Sequence, residues 1–263
     1  MYICPDCKGP LKEFACAHCG VQFASEQGIP DLLSRDPKFA SVREISSTYD
    51  DIYTRRTQVW EDQGRTPEFI RYFSGLVGSA DALLEIGCGE GILLSALPAG
   101  HKTAVDISGA ALRKAQAASG ATCAVALAER LPFADASFDV VVSVGVMEHF
   151  LDDKVASAEI RRVLKPQGRY LALIHLRRTT SEKAMQKVRE FFFPRPRPIA
   201  LLRWMFGKVY KPIHQPIQRG YTTESGQQCI ESAGLHVDRV ISNVTDPSAP
   251  LVGPHVVIYV VRK

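Results

Sequence analysis

No apolar run in the 263 residues reaches the roughly 20 needed to cross a bilayer, and Met1-Tyr2-Ile3-Cys4-Pro5 has neither the charged nor the hydrophobic region of an export signal. A cytoplasmic location is the expectation. The glycine pattern lacks a member as well. A dinucleotide fingerprint G-x-G-x-x-G starting at Gly87 would put its third glycine at position 92, where the chain has Ile92, and this counts against NAD. Even pairing is missing among the cysteines: there are seven, and four of them form two C-x-x-C pairs. In a reducing compartment such pairs argue for a metal rather than disulfides.

With 46% hydrophobic residues, the chain can bury a full core and has room for one α/β domain plus an appendage. Its organising stretch is Leu83 to Gly91, an apolar run that meets an acid at Glu85 and breaks into the alternating glycines Gly87, Gly89 and Gly91. It reads as a strand entering a glycine loop, with Ile92 to Leu97 as the helix beyond. Glycines at a strand's carboxyl edge let backbone approach a ligand closely while helix amides face the same crevice, as in a nucleotide-type site. Lys102 to Ser108 reads as a second strand ending in Asp106, 21 residues after Glu85, where a carboxylate can accept both ribose hydroxyls. Apolar runs at 82–86, 103–107, 138–146 and 170–176 alternate with helical text. That alternation predicts an α/β fold with a parallel, doubly wound sheet and its ligand at the carboxyl edge, where Gly87, Asp106, Ala128-Glu129 and Val144-Gly145 collect. Thr222 to Ser225 predicts a capped helix start, and the stretches 236–242 and 255–262 predict a closing hairpin.

Five stretches occur in a telling order: Glu85-x-Gly87-x-Gly89-x-Gly91, Val105-Asp106-Ile107, Ala128-Glu129-Arg130-Leu131-Pro132-Phe133 with the strand after it, Met147-Glu148-His149-Phe150, and Val163-Leu164-Lys165-Pro166-Gln167-Gly168. Together they resemble the class I S-adenosylmethionine-dependent methyltransferases of the type 11 group. The resemblance implies a Rossmann-like seven-stranded sheet, S-adenosylmethionine as methyl donor, and a cofactor set of Tyr49, Glu85, Gly87, Cys88, Gly89, Gly91, Asp106, Ile107, Ala128, Glu129 and Val144. The family usually has an acid two places before Glu129, where this chain has Leu127, so the backbone of Ala128 and Glu129 is left to read the adenine edge. Glu148 and His149 follow the fourth strand, where catalysis would sit. Methyl transfer is an in-line displacement on a sulfonium, which needs alignment and, for an O–H or N–H nucleophile, a base. The same pair also reads as a brace for the next helix. Cys88 and Cys123 read as small apolar fillers.

Residues 1–33 hold Cys4-x-x-Cys7 and Cys16-x-x-Cys19, a soft four-thiolate set of the kind Zn²⁺ prefers, at a spacing that suits a ribbon hairpin. A redox dithiol or chance are the alternatives. The segment has little core, so metal binding would supply most of its folding free energy. It resembles the small zinc ribbon proteins that activate RNA and protein methyltransferases, and the domains expected are a zinc ribbon at 1–33 and a methyltransferase domain at 34–263. Tyr49 and Tyr53 share a helix face, either over the cofactor, as the resemblance implies, or packed on the sheet. An insertion at 177–220 concentrates the positive charge: Arg177 to Arg219 carry a balance of +9, against −5 for the other 220 residues. Its cations interleave with Phe191, Phe192, Trp204 and Phe206, which suits a lid over an amphiphilic acceptor, a membrane-surface patch or an RNA groove. A solvated helical cap is the bland reading. The expected acceptor is a small or lipid-like metabolite, methylated at O or N; a ribosomal RNA base is the alternative, and a partner protein without catalysis the third.

Overall fold

Ala80–Ile86, the run that feeds the glycine loop, is a strand with a parallel neighbour on each side. The computed structural model describes residues 2–55, 66–177, 217–251 and 255–263. The strands are β1 (Leu11–Lys12), β2 (Ala15–Cys16), β3 (Ser25–Glu26), β4 (Ile29–Pro30), β5 (Ala80–Ile86), β6 (Ala99–Asp106), β7 (Thr122–Val125), β8 (Phe138–Val144), β9 (Leu164–His175), β10 (His236–Ile241) and β11 (Val256–Arg262). The described α-helices are α1 (Val42–Arg55), α2 (Pro67–Val77), α3 (Ile92–Ala96), α4 (Gly109–Ser119), α5 (Asp153–Val163) and α6 (Thr223–Glu231).

A seven-stranded sheet runs in the order β10-β11-β9-β8-β5-β6-β7. Strands β5 to β9 are parallel, and β11 lies antiparallel between β9 and β10. The expected doubly wound sheet and closing hairpin are both present. Strand β7, only four residues long, was not among the expected apolar runs because it is too short to show a period. The chain builds outward from β5 to β7, then crosses back to place β8 on the other side of β5. That reversal opens a crevice between the carboxyl ends of β5 and β8, where ligands of such sheets bind.

Alternate strand residues serve opposite faces of the sheet. Leu83, Val140, Val142 and Leu171 join Phe69, Phe73, Leu94 and Leu112 of α2, α3 and α4. Leu84, Val141, Ala172 and Val257 join Ala156, Ile160 and Ile230 of α5 and α6. Covering both faces explains why the strands read as near-continuous apolar runs. The helices start where side chains cap them: the Ser108 hydroxyl accepts from the Ala111 N–H, Asp152 from Val155, and Thr222 forms a capping box with Ser225.

The N-terminal residues form two hairpins, β1–β2 and β3–β4. Their small cluster of Cys4, Leu11, Cys16, Phe23 and Leu32 is completed by Ala124 of β7. Asp31 pairs in parallel with Val125, the Leu32 N–H donates to the Val125 carbonyl at 2.8 Å, and the Ile3 N–H donates to the Pro132 carbonyl at 3.0 Å. The hairpins therefore extend the sheet edge at β7. Of the basic insertion, residues 178–216 lie outside the described residues, and with them the lid, membrane-patch and RNA-groove readings.

Candidate active site

The carboxyl ends of β5, β6 and β8 open on a cleft of about 1300 Å³, its mouth included. Its floor is bare backbone. Gly87 and Gly89 hold φ at 66° and 51°, where a side chain is strained. A Cβ on Gly87 would lie 2.5 Å from Val146 Cγ2, and one on Gly89 would lie 3.0 Å from the Tyr53 hydroxyl. Cys88 between them is buried; burial, then the charges of Asp106 and Glu85, push its thiol well above the ordinary value, so it is an inert filler.

Two carboxylates stand above this floor. Asp106 Oδ2 accepts from the Gly89 N–H at 3.0 Å and Oδ1 from the Ser108 N–H at 2.9 Å. Glu85 is 3% exposed, and its Oε2 has no hydrogen-bond partner among the described residues. Burial, reinforced by the charge of Asp106 and opposed by the Leu94 N–H, pushes the Glu85 carboxyl up to about 8. Burial also raises Asp106, to about 6, against the N–H groups of Ser108, Gly89 and Ile107, with Asp50 adding to the rise. A buried oxygen left without a donor is costly, and it fits a ligand that brings hydroxyl donors of its own.

Helix α1 crosses over the loop because three polar contacts pin it there. Asp50 Oδ1 accepts from the Ser108 hydroxyl at 2.7 Å and from the Ala110 N–H at 2.9 Å, and the Ser46 hydroxyl donates to the Ile107 carbonyl at 2.7 Å. Val42, Ile45, Tyr49 and Tyr53 thereby face the cleft. The tyrosines pack against Ala110 and Ala111 of helix α4, rather than on the sheet, and also line the cleft. Burial, then the charge of Asp106, pushes the Tyr49 phenol up to about 12, so it stays a hydroxyl donor.

Ile107, Ala126, Leu127 and Ala128 form a further wall. Glu129 Oε1 accepts from the Asp152 N–H at 3.0 Å and ties this wall to the loop after β8; burial raises its carboxyl. Val144, Gly145, Val146 and His149 complete the lining on that side. His149 Nδ1 bonds to the Ile217 carbonyl. A carbonyl only accepts, so Nδ1 carries a proton, and in the neutral ring Nε2 is the bare nitrogen.

Residues 84–172, which contain Glu85, Asp106, Glu129 and His149, match the family described as Methyltransferase domain, Methyltransf_11. These residues carry a methyltransferase domain. An uncharacterized methyltransferase of Schizosaccharomyces pombe is 32% identical over 135 residues, which is 45% of this chain and 47% of that relative. The chain spans less than half the length of the curated relatives it matches. An S-adenosylmethionine-dependent methyltransferase from Thermotoga maritima superposes with a TM-score of 0.57 at 18% identity, covering 84% of this chain and 99% of that one. The 1,6-didemethyltoxoflavin-N1-methyltransferase of Burkholderia thailandensis, solved with 1,6-didemethyltoxoflavin and S-adenosylhomocysteine, gives 0.54 at 18% identity, over 92% of this chain and 94% of that one. At these identities the likeness is one of fold.

Two residues expected in the methyltransferase site stand outside the cleft. Gly91 caps α3 with φ at 72°, and a Cβ there would lie 2.7 Å from Ala115 Cα. Close passage of α3 past α4 requires that glycine. Glu148 is 3% exposed; its Oε1 takes the backbone N–H of His175 and, at 3.0 Å, that residue's Nδ1. It braces the end of β9, not the next helix as the alternative reading had it. Glu148 and His149 share a 3₁₀ turn, in which consecutive side chains diverge by about a third of a circle, so only one of them can face the cleft. Val42, Ile45, Leu93, Leu151 and Ile217 line the cleft without having been singled out, since a single apolar residue, whether on a helix or a loop, carries no motif.

Away from the cleft, the Sγ atoms of Cys4, Cys7, Cys16 and Cys19 all lie within 4.8 Å of one another. An all-cysteine set this compact has the donor chemistry of a closed zinc site. No described helix is long and apolar enough to cross a membrane.

Proposed function

We propose that this protein transfers a methyl group from S-adenosylmethionine to a small, largely apolar acceptor at oxygen or nitrogen, and that Cys4, Cys7, Cys16 and Cys19 hold a structural zinc. The observation that carries the reading is the convergence of Glu85, Asp106 and the bare Gly87–Gly89 backbone on one cleft that also holds His149. When bound, S-adenosylmethionine supplies an electrophilic methyl group on a cationic sulfur. Asp106 would hold the ribose hydroxyls, Glu85 Oε2 would take a further donor, and Ile107, Leu127 and Ala128 would bound the adenine. Val42, Ile45, Phe150 and Leu151 would exclude water and seat the acceptor's apolar body, while the Nε2 of His149 would accept the proton released by the attacking group.

No lysine or arginine is among the described lining residues, which supports an uncharged acceptor over a phosphate backbone. The experiment is to incubate the purified protein with methyl-labelled S-adenosylmethionine and a fractionated cell extract. Label should enter the small-molecule or lipid-extractable fraction, and His149→Ala should cut that transfer by roughly 10²–10⁴-fold. Label confined to RNA, or no transfer into any fraction, would overturn the reading. Metal analysis should find one zinc per chain, absent once Cys4 and Cys16 are both replaced by serine.

A further inference from the structure

The chain at Ile217 is stitched to the loop that carries His149. The Ile217 carbonyl accepts from His149 Nδ1. Two residues on, the Arg219 N–H donates to the Glu148 carbonyl at 2.8 Å, its Nε to the Phe150 carbonyl at 3.3 Å, and its Nη2 to the Leu151 carbonyl at 2.6 Å. The Tyr221 hydroxyl donates to Asp153 Oδ2 at 2.5 Å, while its carbonyl accepts from the Arg177 N–H at 2.8 Å. One short strap therefore spans from the end of β9 to the turn after β8. The start of α6 does not need these bonds, because Thr222 and Ser225 form its capping box by themselves.

We infer that residues 217–221 are a positioning strap that selects the tautomer of His149, with Arg219 as the residue that fixes it; the inference rests on the proposed methyl transfer. A neutral imidazole free in water shares its proton between two nitrogens. A carbonyl held against Nδ1 ends that sharing, because it can only accept. Nε2 is then the bare nitrogen of the neutral ring. Arg219 acts at one remove: it neither lines the cleft nor bonds the imidazole, but its backbone N–H holds the carbonyl before His149 and its side chain holds the two carbonyls after it. That grip sets where the Ile217 carbonyl stands relative to the ring. Its side chain is 40% exposed, so a mere surface brace is the competing role, and such a brace would leave the ring proton unmoved.

The test is nitrogen-15 NMR of the histidine rings in the full-length protein near pH 8, about 1.5 units above an ordinary histidine pKa, both free and with S-adenosylhomocysteine. The His149 signals are identified by their loss in His149→Asn. Wild-type His149 should show a protonated Nδ1 and an unprotonated Nε2 in both states. In Arg219→Ala the two nitrogen shifts should converge towards the mixed-tautomer average, while S-adenosylhomocysteine affinity changes by less than about twofold. Arg219→Lys, which keeps a cationic donor, should recover part of the wild-type separation. A wild-type ring protonated on Nε2, or Arg219→Ala with wild-type shifts, would overturn the strap; the first of these needs no variant to fold. Failure to bind S-adenosylhomocysteine would instead sink the methyltransferase reading, and the two failures are therefore distinguishable.

Discussion

Glu85 keeps its proton at neutral pH, since burial and the neighbouring Asp106 raise its carboxyl to about 8 from an ordinary 4.5. A raised acid contributes stability that is complete below about 4.5 and is lost as pH rises through about 8. A ligand that brings hydroxyl donors and a cationic sulfur favours the ionised carboxylate, so binding should expel the proton. Calorimetry with S-adenosylmethionine at pH 7, in buffers of different ionisation enthalpy, should show release of up to about one proton per site, and Glu85→Gln should abolish it. Proton uptake would contradict this. The glycines divide at the same scale. Gly91→Ala should lower unfolding free energy by roughly 2–4 kcal/mol in denaturant titrations, because it combines a left-handed φ with a clash against Ala115. Gly89→Ala meets only the Tyr53 side chain, and should cost about 1–2 kcal/mol of stability while weakening S-adenosylhomocysteine binding. If Gly91→Ala left stability intact and abolished binding, Gly91 would return to the cofactor set. The sequence pointed to the carboxylates and the glycine loop through their chemistry. It could not separate Gly91 from Gly87, because what Gly91 accommodates lies far along the chain at Ala115.

At the scale of elements, the hairpins of residues 2–33 grip both flanks of the wall at 126–128. The Tyr2 hydroxyl donates to the Cys123 carbonyl at 2.8 Å, Tyr2 packs against Phe133 with ring centres 5.7 Å apart, and Lys8 pairs with Glu159 at 2.9 Å. Just beyond them, Asp36 pairs with Arg130 at 2.8 Å. If zinc holds the hairpins together, removing it with a strong chelator should release this wall. Hydrogen exchange should accelerate in 2–33 and 122–133 while β8, β9 and β11 stay protected, and S-adenosylhomocysteine affinity should fall by roughly tenfold, about 1.4 kcal/mol. Complete metal removal with unchanged exchange in 122–133 would contradict the coupling. The cysteine spacing was legible because metal ligation fixes it. The docking was not, since the fit of Leu32 and Tyr2 against Ala124, Cys123 and Phe133 leaves no periodic trace in either segment.

At the scale of the whole chain, a balance of +9 falls in the sequence between Arg177 and Arg219, while the described cleft lining holds no lysine or arginine. Turnover on an uncharged small acceptor should therefore change by less than about twofold between roughly 50 and 200 mM salt, whereas an RNA acceptor would lose affinity by orders of magnitude over that range. The sheet was legible because both its faces are buried, which makes each long strand a continuous apolar run, and because the glycine loop and Asp106 mark two carboxyl edges. The strap at 217–221 was not, because the groups it uses on the His149 loop are main-chain carbonyls, which any sequence provides. If Asp106 grips a ribose at the centre of this architecture, calorimetric titration with S-adenosylhomocysteine will find one site per chain in the wild type and at least about tenfold weaker binding in Asp106→Ala. A folded wild-type protein that gives no binding heat, or a variant that binds as tightly as the wild type, would contradict it.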